Sequence, residues 1–120
     1  MTAIVMEKSF GQILQELRRA AGISQRELAA EVSVDFSYIS KVENDRLPPP
    51  SADTIVKICE VLKVAPDDML AQAGKMTSEV KEMLGTNPAA QQFIRQAQEM
   101  RLTNREWQSL TKNLKKLRGK

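Results

Sequence analysis

The chain has 120 residues, with one cysteine, no histidine and five scattered glycines. This inventory lacks a Ser–His or Cys–His nucleophile pair, a glycine-rich phosphate loop and a zinc-binding cluster. We therefore expect neither an enzyme nor a cofactor or metal. The net charge of +3 is unevenly distributed: residues 1–75 carry a formal charge of −2 and residues 76–120 carry +5. Binding of a polyanion by the first part must depend on where single cations project.

The first predicted helix runs from Phe10 to Ala21. Its apolar residues recur at helical spacing on one stripe, and they are Phe10, Ile13, Leu14 and Leu17. Gly22 follows as the expected left-handed residue at the C-terminal end of this helix.

The second helix has a start signal that can be assigned residue by residue. Ser24 and Glu27 form the S-x-x-E capping box, which places Gln25 in the first turn. Ala29 lies on the inner face beside Leu28. Its small side chain lets another helix cross close to it.

A third helix is predicted from Phe36 to about Asn44, with Asp35 as its cap. Ile39 and Val42 are three residues apart and face inward. The outward side chains are those of Phe36, Ser37, Ser40 and Lys41. One hydrophobic group, two hydroxyls and a cation on one face suit the base edges in a DNA major groove.

Two further helices follow in the first part of the chain. One begins after three consecutive prolines with Ser51 as its cap, and the other begins at Pro66 and stops before Gly74. The apolar face of the fourth helix consists of Ile55, Ile58, Cys59 and Leu62. Cys59 has no partner for an internal disulfide and is expected to be a small core residue.

The remaining residues predict three short amphipathic helices. Thr77 caps the first, which ends at Gly85; Asn87 with Pro88 opens the second; Thr103 with Glu106 forms a capping box for the third. The apolar face of the second carries Ala90, Phe93, Ile94 and Ala97, and the third carries Trp107, Leu110, Leu114 and Leu117 at spacings of 3, 4 and 3. This is the spacing of a packing seam.

The pattern Q-x-x-x-A, which begins at Gln25, is followed by a turn and by the sequence YISKVEN. These residues resemble the helix-turn-helix of the lambda-repressor, Cro and xenobiotic-response-element family of bacterial regulators, over roughly residues 9–75. The resemblance implies an all-α fold. A five-helix lambda-repressor-like DNA-binding domain would occupy residues 1–75, with its core at 9–74, and a small C-terminal helical extension would occupy residues 76–120.

The resemblance also implies roles for individual residues. Gln25 matches the glutamine that caps a phosphate, while Phe36, Ser37 and Lys41 match positions that reach base edges. The full expected DNA-binding set is Gln25, Arg26, Phe36, Ser37, Ser40, Lys41, Asn44 and Arg46, with the last two in a loop that grips the backbone. Arg18 and Glu43 match an ion pair between the first and third helices.

Three positions depart from the family pattern. Ser33 stands where a glycine is common in the turn, so it is expected to adopt a positive φ at a cost of about 1 kcal/mol. Asp35 and Asp45 place negative charge near the expected phosphates. Asp35 serves as a helix cap, whereas the sequence supplies no such role for Asp45.

The extension has several interpretations. Its apolar seam could pack within one subunit, bind a partner protein or pair with a second copy, and we expect pairing because half-site recognition generally needs a dimer. The expected dimerisation residues are Phe93, Ile94, Trp107, Leu110, Leu114 and Leu117. The terminal cluster around Lys115 and Lys116 is interpreted first as a solvated helix end, second as a phosphate-binding arm and third as a membrane-surface helix.

We therefore expect a homodimeric, sequence-specific DNA-binding regulator that represses a promoter containing an inverted repeat. Two alternatives stay open: an antitoxin-type autoregulator whose C-terminal helices bind a partner protein, and a bridging protein that has lost DNA binding. No stretch approaches the ~20 apolar residues that cross a bilayer, and no export signal is evident, so the expected location is the cytoplasm.

Overall fold

The computed structural model describes residues 8–119, and within them the chain forms eight helices and no strand. The helices are α1 (Phe10–Ala20), α2 (Gln25–Glu31), α3 (Phe36–Glu43), α4 (Ala52–Leu62), α5 (Asp67–Ala73), α6 (Ser78–Thr86), α7 (Pro88–Met100) and α8 (Asn104–Lys116). The expected all-α class is confirmed. The chain divides into two compact units, one ending at Ser78 and the other beginning at Glu79. Residues 1–7, which the predicted first domain includes, lie outside the described residues.

The first unit packs α1–α5 around one apolar core. α3 lies against both α1 and α2, while α5 packs on α1 and α4. The buried core residues are Phe10, Leu14, Leu28, Ala29, Val32, Ile39, Val42, Ile55, Ile58, Cys59, Leu62 and Met69. Burial raises the pKa of the Cys59 thiol, in keeping with the predicted core role of this residue.

All five helices of this unit end with a residue in the left-handed conformation. These residues are Gly22, Ser33, Asp45, Lys63 and Gly74, each with φ between 59° and 72°. After α3, for example, the amide of Arg46 donates to the carbonyl of Lys41 and that of Asp45 to the carbonyl of Val42. This Schellman pattern satisfies carbonyls at the helix end that would otherwise lack partners. The positive φ expected at Ser33 is confirmed.

The predicted caps at Ser24, Ser51, Asn87 and Thr103 are present, whereas Pro66 lies just before α5 and is not its first residue. The boxes at Ser24 and Thr103 are both present, and hydrogen bonds from Ser24 lower the pKa of Glu27. A further box, Ser9 with Gln12, opens α1. Asp35 occupies the cap position of α3, but its side chain accepts no backbone hydrogen bond there. The expected side-chain cap at Asp35 is therefore wrong.

Gly11 sets the distance between α1 and α3. A Cβ atom at this position would lie 2.6 Å from both the carbonyl oxygen of Glu43 and Oδ1 of Asp45. Both distances are well below van der Waals contact, so only glycine fits without displacement. The N-terminal turn of α1 thereby lies directly against the C-terminal end of α3.

The second unit buries little of its apolar surface. Ala97 is the only residue between Glu79 and Gly119 that is classed as buried. The large apolar side chains of this unit that remain exposed are those of Val80, Met83, Phe93, Ile94, Met100, Trp107, Leu114 and Leu117. As predicted, Asn87 caps α7, Pro88 follows in its first turn, and Thr103 with Glu106 opens α8. The unit presents an amphipathic surface that its own helices leave uncovered.

Candidate nucleic-acid interface

α2 and α3 form a helix-turn-helix. Ala29 of α2 is 3% exposed, and Ile39 and Val42 of α3 are almost completely buried, as their inward positions predicted. The small side chain at Ala29 allows the two helices to pack closely. The turn between them is closed by hydrogen bonds from the amides of Ser33 and Val34 to carbonyls of α2.

A buried ionic network fixes α3 against the other two helices. Arg18 Nε donates to Glu43 Oε2 at 2.6 Å, and Arg18 Nη2 donates to Oε1 at 3.1 Å. Arg18 Nη1 donates to the carbonyl of Ile23, while Gln25 Nε2 donates to Glu43 Oε1 at 2.8 Å. The geometry matches the ion pair that the family resemblance implied, and Gln25 joins it. Because charge-assisted hydrogen bonds are strong and directional, α3 has one defined orientation.

The outer face of α3 is open to solvent. Phe36, Ser37 and Lys41 are exposed, and Ser40 is half-buried. These side chains share one face of the helix, opposite Ile39 and Val42. A hydrophobic ring, hydroxyl groups and an ammonium group can contact the thymine methyl and the acceptors of the major groove.

Arg26 and Phe36 are in direct contact at the edge of this face. The guanidinium carbon of Arg26 lies 4.4 Å from the centroid of the Phe36 ring, which is a cation–π contact. Arg26 is in the first turn of α2 and Phe36 is the first residue of α3. Two residues that the sequence placed separately in the DNA-binding set therefore form a pair.

The loop after α3 has one amide and one cation available at its surface. Asn44 Nδ2 donates to the carbonyl of Ser40, so one of its two donor hydrogens is used within the protein. Arg46 is exposed. Asp45, which had no role predicted from the sequence, has φ 59° and accepts a hydrogen bond at 2.7 Å from the hydroxyl of Ser9. Its carboxylate is directed to the start of α1.

Arg19 is a residue that the sequence reasoning did not select. It lies in the last turn of α1 and is exposed. It lines a shallow polar depression together with Gln15, Arg18, Ser24, Gln25, Arg26 and Phe36. A cation at the C-terminal end of a helix is common for reasons of the helix dipole alone, so the sequence carried no distinguishing signal for it.

Five of the six residues expected at a dimer interface lie on α7 and α8, and the sixth, Leu117, is the C-cap of α8. Phe93 lines two neighbouring apolar grooves of the second unit, one beside Ala97 and the other beside Trp107. Leu110 lines both grooves as well, and Leu114 and Leu117 line the second. Ile94 is 41% exposed and lines a separate concavity with Leu84.

Within residues 8–119, no group of three or more His, Cys, Asp or Glu side chains is arranged to hold a metal ion. No helix in the same range combines the length and the apolar character that spanning a membrane requires.

Comparison with known proteins identifies the fold family. A helix-turn-helix family model matches residues 14–69. RghRB of Bacillus subtilis, described as an uncharacterized HTH-type transcriptional regulator, is 38% identical over 74 residues, which cover 62% of this chain and 53% of that protein. The HTH-type transcriptional repressor RghR of the same organism is 29% identical over 111 residues, 88% of this chain and 82% of that protein. The chain thus spans just over half the length of RghRB.

Solved structures show the same similarity over about half of the chain. A chain from the crystal structure of the biofilm master regulator SinR in complex with DNA is 33% identical, with a TM-score of 0.48, and the match covers 51% of this chain and 97% of that one. The restriction-modification controller protein C.AhdI from Aeromonas hydrophila is 38% identical, with a TM-score of 0.46, 50% of this chain and 89% of that one being covered. The family match and the named relatives support assignment to the xenobiotic-response-element family of helix-turn-helix regulators, with the matched segment, residues 14–69, making up just under half of the chain.

Proposed function

We propose that this protein is a sequence-specific DNA-binding transcriptional regulator that acts as a homodimeric repressor on an inverted-repeat operator. The observation that carries the proposal is the exposed face of α3. That face presents Phe36, Ser37 and Lys41 on a helix whose orientation is fixed by the buried Arg18–Glu43 pair. RghR, which is 29% identical over most of this chain, is named as a transcriptional repressor, and this name supports repression as the mode of regulation. Such a regulator acts in the cytoplasm, where the bacterial chromosome lies.

The proposed roles divide between base contacts and phosphate contacts. Phe36, Ser37, Ser40 and Lys41 contact base edges from α3. Gln25 retains one amide hydrogen and its carbonyl after donating to Glu43, and it caps a phosphate at the start of α2. Asn44 and Arg46 contact the backbone from the loop after α3. Arg26 belongs to the same surface.

The acidic balance of the first 75 residues gives these contacts a particular importance. With a formal charge of −2, this part of the chain has no bulk attraction for DNA. Non-specific affinity from this part alone should therefore be weak, and the few exposed cations on the α2–α3 surface should determine binding. The carboxylate of Asp45 should repel DNA phosphates less than its charge alone suggests, because it accepts a hydrogen bond from Ser9.

The second unit supplies the proposed dimer interface. This small unit buries little apolar surface, and it leaves six apolar side chains on α7, on α8 and at the C-cap of α8 partly or fully exposed. Pairing of two copies about a two-fold axis would cover these side chains, which are Phe93, Ile94, Trp107, Leu110, Leu114 and Leu117. Reading of an inverted repeat by such a dimer requires two copies of α3 in successive major grooves about 34 Å apart. Repression would follow from occlusion of a promoter.

The test is selection of DNA sites by the full chain from a randomised duplex library, combined with sedimentation equilibrium of the free protein. We expect an enriched inverted repeat with half-sites separated by one helical turn, and a dimer in solution. Enrichment of no sequence would contradict DNA reading and favour a bridging protein. If the free protein is a monomer and forms a complex only with a co-purified second protein, that result would instead favour the partner-binding alternative.

A further inference from the structure

The contact between Arg26 and Phe36 does more than place a cation near DNA. A guanidinium that lies over an aromatic ring uses its face for the contact and keeps its N–H groups at the edge. Within the described residues, the Arg26 side chain makes no hydrogen bond and no ion pair, and the ring of Phe36 is its one recorded side-chain partner. The N–H donors of Arg26 therefore stay available to a ligand.

The neighbouring arginine of the same surface shows the contrast. Arg18 is buried, and its guanidinium donates to Glu43 and to the carbonyl of Ile23. The guanidinium donors of Arg18 are thus used in hydrogen bonds within the protein. Arg26 is exposed and is oriented by a ring that is itself 39% exposed, so both members of the pair can contact a ligand.

The position and spacing of the pair fit two consecutive base pairs. Phe36 is the first residue of α3, and the N-terminal residues of a recognition helix are the ones that approach base edges. The guanidinium and the ring are 4.4 Å apart, which is close to the ~3.4 Å rise between neighbouring nucleotides of one strand. In the major groove, arginine pairs in bidentate fashion with O6 and N7 of guanine, and an apolar side chain contacts the methyl group of thymine.

We propose that Arg26 and Phe36 act as one reading unit that selects a G·C pair flanked by a T·A pair in each half-site. Arg26 donates two hydrogen bonds to guanine O6 and N7, and Phe36 packs against the methyl group of the adjacent thymine while it holds the guanidinium plane. This inference rests on the proposed DNA-binding function. It makes Phe36 a positioning residue for Arg26 as well as a base contact.

The experiment uses the full chain and the DNA site that it selects. Equilibrium affinities are measured for the wild type, Arg26→Lys, Arg26→Ala, Phe36→Ala and the double alanine variant, on the selected site and on unrelated DNA. The matched control is Arg19→Ala, which removes an exposed cation from the same depression but leaves the stack intact. Two modified sites accompany them, one with 7-deazaguanine, which lacks N7, and one with deoxyuridine in place of thymine, which lacks the methyl group.

The selected site should contain adjacent G·C and T·A pairs. Arg26→Lys and Arg26→Ala should each lower affinity for that site about 10-fold or more and leave unrelated DNA nearly unchanged, because a bidentate contact discriminates between bases. Deoxyuridine should weaken wild-type binding about 3-fold through loss of one methyl group, and it should have little effect on Phe36→Ala. Phe36→Ala should also relax the guanine preference, so the two single effects should not add.

Two results would overturn the inference while leaving the proposed function standing, and a third would overturn both. If the wild type selects a site but Arg26→Ala weakens all sequences alike, as Arg19→Ala should, Arg26 contacts phosphate and the reading unit does not exist. If wild-type binding is insensitive to both 7-deazaguanine and deoxyuridine, the reading unit likewise does not exist. A wild type that selects no site at all would overturn the proposed function together with this inference. The substitutions at Arg26, Phe36 and Arg19 all alter exposed side chains, so melting temperatures equal to that of the wild type should exclude misfolding as the cause.

Discussion

Arg18 and Glu43 form a buried ion pair that joins the first helix to the recognition helix. Two hydrogen bonds of 2.6 and 3.1 Å connect the guanidinium to the carboxylate, and neither side chain is more than 9% exposed. The remaining donors and acceptors also find partners, since no buried side-chain nitrogen or oxygen among the described residues lacks a hydrogen bond. The pair is therefore complete, and removal of one member leaves the other charge buried.

The first prediction concerns this pair. Glu43→Ala should lower the free energy of unfolding by about 3–5 kcal/mol, because the Arg18 guanidinium would lose its counter-ion inside the protein. The double substitution Arg18→Met with Glu43→Leu should recover much of the loss, since no charge is then buried. Urea denaturation followed by circular dichroism measures both. The control is Glu16→Ala, which breaks the exposed Lys8–Glu16 pair and should cost less than about 1 kcal/mol.

The second prediction concerns the close contact of α1 with the end of α3. Gly11→Ala should destabilise the protein by about 1–3 kcal/mol, because the added methyl group would displace the carbonyl of Glu43 or the Asp45 side chain. Gly85→Ala is the matched control, since Gly85 is also helical and has nothing within 4 Å of an added Cβ. Alanine has the higher helix propensity, so the control should be neutral or slightly stabilising. Equal melting temperatures for the two variants would contradict this account of the crossing.

The third prediction concerns the turn of the helix-turn-helix. Ser33 has φ 60°, a conformation that costs a residue with a Cβ roughly 1 kcal/mol more than glycine. Ser33→Gly should therefore raise the melting temperature. In the reverse direction, Gly22→Ala should lower it, because Gly22 has φ 72° after α1. A Ser33→Gly variant that is less stable than the wild type would show that the turn does not strain serine.

The fourth prediction concerns association through the second unit. Leu114→Glu should weaken the dimer without unfolding the first unit, because Leu114 is 63% exposed in the single chain and would be buried on pairing. Gln108→Glu adds the same charge at an exposed position of α8 outside the seam, and it should leave the dimer intact. Sedimentation equilibrium of the two variants measures how strongly each one dimerises.

Salt should affect this association in a characteristic direction. Residues 76–120 carry a formal charge of +5, so two copies repel each other and added salt should tighten the dimer by screening. An acidic protein partner would show the opposite dependence, with weaker binding at higher salt. That second pattern would contradict self-association as the role of the extension.

The local signals in the sequence predicted the helices well because caps depend on residues three positions apart. Ser24 and Thr103 each accept the hydrogen bond that the spacing of their capping boxes predicted, and Ser51 accepts one at its predicted cap position. The left-handed conformation of Gly22 was also predicted, since glycine favours that conformation. The family resemblance, rather than helical periodicity, supplied the Arg18–Glu43 pair and the positive φ at Ser33.

Contacts between residues distant in sequence were not predictable in the same way. The requirement for glycine at Gly11 arises from the end of α3, and the hydrogen bond of Asp45 comes from Ser9, 36 residues earlier. The Arg26–Phe36 stack depends on how α2 and α3 cross. For Asp35, the cap position was evident, but the side chain does not make the hydrogen bond that the residue type favours.

The central claim is that the exposed face of α3 reads bases while the loop after it contacts phosphates. The most direct measurement is the affinity of the wild type, Lys41→Ala and Arg46→Ala for the selected site and for scrambled DNA, each over a range of salt concentrations. Lys41→Ala should lose about 1–3 kcal/mol on the selected site only. Arg46→Ala should weaken both DNAs alike and reduce the salt slope by about 1. Equal losses on both DNAs for the two variants would contradict the claim.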